Sequence, residues 1–172
     1  MDELLARLAP ADAVVALVCL IALVTDLRKQ KIPNALTFPA MALGIVWNLM
    51  MGDGWVGFVG VAVGFGVCFP AWLLKAIRAG DAKLIMAIGA FYGGGDALRC
   101  ALLMYILNLP FGLLVLIVKG RLKNLVPAIK AGFDKAMGKE LEEPPDLTVV
   151  AFSPVIVVAL LLTRLTDFLR FF

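Results

Sequence analysis

Six apolar runs recur along the chain, at 10–24, 35–51, 55–74, 84–92, 97–118 and 149–162, with short polar stretches between them. Runs near the roughly 20 residues needed to cross about 30 Å of hydrocarbon restrict a chain to helices or a closed barrel, because lipid offers backbone N–H and C=O groups no partner. A barrel strand alternates apolar and polar residues, which these runs do not. The expected fold is all-α: a polytopic membrane bundle of about six transmembrane helices, forming one domain over 1–172. Composition agrees, with 62% hydrophobic and only 17% charged residues, against roughly 25% charged in a soluble domain. The first ten residues carry Asp2, Glu3 and Arg7. They lack a positive n-region, and no small-residue cleavage site follows, so the first helix is expected to stay in the protein.

Charge separates the connections into two groups. Twelve of the 16 Lys and Arg residues fall in the first, third and fifth connections: Arg28, Lys29 and Lys31; Lys75, Arg78 and Lys83; and six lysines and arginines between Lys119 and Lys139. Under the positive-inside rule these three connections face the cytoplasm, and both termini face outward. The fifth connection, a basic loop at about 119–148, spaces Leu122, Leu125, Val126, Ile129, Phe133, Ala136 and Met137 close to a helical period among lysines. That pattern fits an interfacial amphipathic helix, while Pro127, Gly132 and Gly138 fit a mobile basic loop equally well.

Two runs are short for a crossing. The first covers only about 22 Å at 1.5 Å per residue, so its helix is expected to continue through Asp26. The stretch 81–92 covers about 18 Å, which implies a locally thin bilayer or a helix start recessed in a protein-lined cavity, and Asp81 is expected to be recessed too. An ionisable group inside a bilayer costs at least about 2.5 kcal/mol and is a functional candidate by default. The topology puts Asp26 and Asp81 at the same, cytoplasmic boundary. Two neighbouring carboxylates can hold different protonation states, one ionised to activate water and the other protonated to polarise a carbonyl. A blander reading has each aspartate marking where a helix leaves the membrane, among solvated basic neighbours. On spacing alone the two readings stand level.

The remaining chemistry is sparse. The chain has no histidine, which excludes a Ser-His-Asp triad, a Cys-His dyad and His-based zinc protease motifs. Cys19, Cys68 and Cys100 lie in separate apolar segments without metal-ligand spacing and read as small core hydrophobes.

Thr25-Asp26-Leu27-Arg28 followed by Ile32-Pro33-Asn34, and Ala79-Gly80-Asp81-Ala82-Lys83-Leu84 running into 87–91, resemble the short, peptidase-only members of the type IV prepilin peptidase family. Ala151-Phe152-Ser153-Pro154 is similar to that family's small-residue and proline start of the last helix. The resemblance implies an intramembrane aspartyl endopeptidase with Asp26 and Asp81 as its catalytic pair. Gly80, Lys83, Arg78 and Asn34 are implied as supporting or substrate-binding residues. The partners implied are a pilin or pseudopilin precursor and the lipid bilayer, with no nucleic acid, metal or organic cofactor. The precursor would be cut at the cytoplasmic membrane edge, between a basic leader and an apolar helix. Longer members carry a segment with paired cysteines associated with N-methylation. None is evident here, so peptidase activity without methyltransferase activity is implied.

Arg78 departs from the family's Gly-x-Gly-Asp pattern, standing where the first glycine is expected. It reads as a positive-inside charge, a substrate contact or a group acting on a carboxylate. Gly80 is expected to let the backbone turn tightly beside Asp81. Ile32-Pro33-Asn34 reads as a helix start, the glycines from Gly57 to Gly66 as sites of close helix packing, and Gly93-Gly94-Gly95 as a turn. Two rival readings remain: a non-catalytic assembly factor whose site Arg78 has disabled, and a small transporter.

Overall fold

The computed structural model describes residues 10–73, 77–118 and 153–165, with the single positions 120, 130 and 137. The described elements are six helices: α1 Pro10–Lys29, α2 Asn34–Met50, α3 Gly54–Leu73, α4 Ala79–Tyr92, α5 Gly94–Val118 and α6 Ser153–Leu165. Two of them, α1 and α3, are 20 residues each and apolar enough to cross a membrane, while α2 and α6 are shorter apolar helices. As the length argument requires, α1 runs on through Asp26. Apart from the three single positions, the 119–148 loop with its amphipathic segment lies outside the described residues, as do residues 1–9.

Five helices form a ring around the sixth. In spatial order α1, α2, α3, α5 and α6 each pack on the next and α6 closes back on α1, while α4 touches all five. This explains how 14 residues, about 21 Å of helix, suffice for the fourth apolar run. A helix surrounded by protein need not reach from one lipid boundary to the other. Leu84, Ile85, Ala87, Ile88, Ala90 and Phe91 of α4 are all buried. Large apolar side chains of the ring, among them Leu17, Leu43, Trp55, Phe58, Phe65 and Ile106, are exposed on the outside, where a bilayer would cover them.

Small residues bring the ring onto its axle. Gly57, Gly60 and Gly64 form the buried face of α3. A Cβ on Gly60 would overlap the Gly89 carbonyl of α4, and one on Gly44 of α2 would lie 2.7 Å from the Ala90 carbonyl carbon. The expected close packing is therefore found, on a three- and four-residue spacing. The far end of α4 stops at Gly93, whose φ of 88° suits glycine. The buried Asn48 amide donates to the Ala90 and Phe91 carbonyls at 2.8 and 3.2 Å, satisfying acceptors that the helix end leaves open.

Candidate functional site

α1 ends one turn beyond Asp26. Its last turn is closed by the Gln30 N–H donating to the Asp26 carbonyl at 2.7 Å, with Gln30 in the left-handed region at φ 49°. Ile32 then turns inward and is buried. The other half of the site is the start of α4. Arg78 holds the extended N-cap position, and Asp81 lies in the first turn. The Asp81 carboxylate accepts the Arg78 backbone N–H at 3.3 Å, which is the ordinary duty of an acid three residues into a helix.

Asp26 and Asp81, 0% and 1% exposed, meet at one guanidinium. Arg78 Nη2 donates to both oxygens of Asp26, at 3.0 and 3.3 Å. Its Nε lies 3.7 Å from Asp81 Oδ2, and its Nη1 donates to the Gln30 carbonyl. Arg78 is thus no solvated topology charge. It binds both carboxylates, whose mutual repulsion it offsets. The backbone N–H of Ser153, first residue of α6, donates to Asp26 Oδ2 at 3.2 Å, an oxygen it shares with Arg78 Nη2.

A cavity of about 320 Å³ opens here, lined by Asp26, Asn34, Arg78, Gly80, Asp81 and Lys83, together with the 30–32 turn and Ala79. All six residues singled out from the sequence therefore line one space. Lys83 Nζ donates to the Asn34 side-chain carbonyl at 2.8 Å and sits 5.0 Å from the centroid of the Phe38 ring, so it bridges α4 to α2. Gly80 differs from expectation. It belongs to the helix with no positive φ, and a Cβ there would lie 3.1 Å from the Ile32 Cβ. Its smallness serves packing rather than a turn. Among the described residues no group of three or more His, Cys, Asp or Glu side chains is gathered for a metal ion.

The sequence profile of the type IV leader peptidase family matches residues 13–122, more than half of the chain. The chain belongs to that family. Among known proteins, it is 35% identical over 80 residues to prepilin peptidase EppA of Methanothermobacter thermautotrophicus, covering 42% of this chain and 20% of that one. It is 33% identical over 106 residues to a prepilin leader peptidase/N-methyltransferase of Xanthomonas campestris pv. campestris, covering 56% and 37%. The chain therefore matches well under half the length of either relative. No solved structure matches.

Two contacts escaped the sequence reading: that of the Gln30 carbonyl with Arg78 and that of Ser153, quoted only as part of a helix start, with Asp26. The first rests on a backbone group and leaves no mark in side-chain chemistry. A signal for the second existed, a small polar residue before Pro154 at the start of an apolar run.

Proposed function

We propose that this member of the type IV leader peptidase family is an intramembrane aspartyl endopeptidase that removes the leader peptide of type IV pilin or pseudopilin precursors at the cytoplasmic membrane boundary. The observation that carries the reading is the convergence of two fully buried carboxylates, from α1 and α4, on one cavity. One aspartate takes a proton from water as the water attacks the scissile carbonyl. The other, protonated, donates to that carbonyl oxygen, and the nitrogen of the departing chain receives a proton as the C–N bond breaks. Both relatives are named as prepilin peptidases, which supports prepilins as the substrate class. Lys83 and Asn34 at the cavity supply polar contacts for the extended segment being cut. Cleavage without N-methylation is proposed, since the three cysteines are each buried in a different helix and form no paired motif.

Arg78 favours a second reading. A guanidinium on both carboxylates fits a non-catalytic factor that holds a precursor without shortening it. Purified protein incubated with prepilins of the same organism, and the products weighed by mass spectrometry, separates the two. Leader loss in the parental protein, abolished by Asp26→Asn and by Asp81→Asn, is the expected result, because the amide preserves size while removing proton exchange. Asp53→Asn and Asp96→Asn should process normally. Parental-rate cleavage by both site variants would sink the aspartyl mechanism, and uncut precursor throughout would favour the scaffold.

A further inference from the structure

Ser153 is 0% exposed, and its backbone N–H reaches Asp26 across 127 residues of sequence. Its hydroxyl is equally buried and has no hydrogen-bond partner among the described residues. Val155, Ile156 and Ala159 of the same helix are buried apolar residues, a setting that suits alanine better than a hydroxyl. A buried hydroxyl with no partner among the described residues, beside a buried carboxylate, calls for an account in function.

Arg78 Nη2 sits on both oxygens of Asp26, where a hydrolytic water and the scissile carbonyl must approach. When the guanidinium yields that face, the donor left on Asp26 is the Ser153 amide. It is anchored in α6, and Pro154 beside it has no N–H to contribute. Resting on the peptidase reading of the Asp26–Asp81 pair, we infer that Ser153 is a positioning residue for Asp26: its amide fixes the carboxylate, and its hydroxyl turns to donate to the same carboxylate during turnover. In the resting arrangement Arg78 holds both oxygens of Asp26, and the hydroxyl has no partner among the described residues.

The test is Ser153→Ala, which keeps the amide and removes the hydroxyl, with Ser153→Thr as the conservative rescue. The alanine variant is expected to lower kcat about tenfold, the size of one hydrogen bond to a charged group, with KM near the parental value. Its thermal midpoint should be unchanged or higher, and threonine should restore turnover. A purely structural serine would instead lose stability and activity together, and that result overturns the inference, as does parental kcat in the alanine variant. A parental protein that cleaves no precursor is failure of the peptidase reading, not of Ser153. In that case site-resolved carbodiimide coupling decides: an altered rate at Asp26 but not at Asp81 in Ser153→Ala upholds the contact, and equal rates refute it.

Discussion

Asp26 and Asp81 are fully buried acids, and two such charges tolerate proximity only if one is neutralised or a cation lies between them. Arg78, 24% exposed in its side chain, takes the second route. Replacing it with the family's glycine leaves the first route: one carboxylate takes up a proton, the state in which an acid–base pair works. Arg78→Gly is therefore expected to keep or raise kcat for precursor cleavage while costing about 3 kcal/mol of stability, the loss typical of breaking a buried pair. Turnover and thermal midpoint measured on the same preparation check both halves. A folded variant that cleaves more slowly would assign Arg78 to precursor binding instead. Charge in apolar flanks singled out the two acids in the sequence but left two readings of them level, and the resemblance at 25–28 and 79–84 decided between those. The partner of Arg78 was not legible there, since nothing local in 78–81 reveals a carboxylate 52 positions earlier.

At the level of helices, α4 carries Asp81 on a rod too short to cross by itself, and its seating decides where the acid stands. Its glycine contacts give opposite signs to two alanine substitutions in α3. Gly60→Ala drives a methyl into the Gly89 carbonyl, whereas Gly66 has nothing within 4 Å of an added Cβ. Overpacking should cost Gly60→Ala about 1–3 kcal/mol, and Gly66→Ala should gain up to about 1 kcal/mol of helix propensity. Thermal unfolding in one detergent measures both; equal shifts would contradict the close α3–α4 approach. The sequence announced a glycine-rich helix, but only the 57, 60, 64 spacing, set against a partner, says which glycines matter. A second polar cluster pins the opposite end of α4. The Tyr92 hydroxyl donates to Asp12 Oδ1 at 2.6 Å, and Arg164 reaches the same oxygen at 2.7 Å while lying 4.5 Å from the Tyr92 ring centroid. It joins α1, α4 and α6, the three helices whose other ends supply Asp26, Asp81 and Ser153. Nothing local in the sequence pairs Asp12 with Arg164, 152 positions later.

For the whole molecule, the proposal requires the cavity end of the bundle to face the compartment in which a precursor's basic leader lies. Asp26 stands near the end of α1 and Asp81 near the start of α4, so a chain that crosses at every helix brings them to the same side. The 30–33 and 77–78 connections belong to that side, and Gly52-Asp53 and Gly93 to the other. Under the positive-inside rule the bias of basic residues toward the first side gives the expectation that it is cytoplasmic. Cys19, Cys68 and Cys100 are each no more than 2% exposed, which keeps the background of a thiol-labelling scan low. Lys29, Ala79, Asp53 and Gly95 are exposed positions at which single cysteines report on the two faces. A membrane-impermeant maleimide added to intact cells should label Asp53→Cys and Gly95→Cys and spare Lys29→Cys and Ala79→Cys. Inverted vesicles should give the reverse. If the two cavity-side positions are labelled from outside, the carboxylate pair faces away from the leader, and the chain cannot cleave at the cytoplasmic boundary whatever its family.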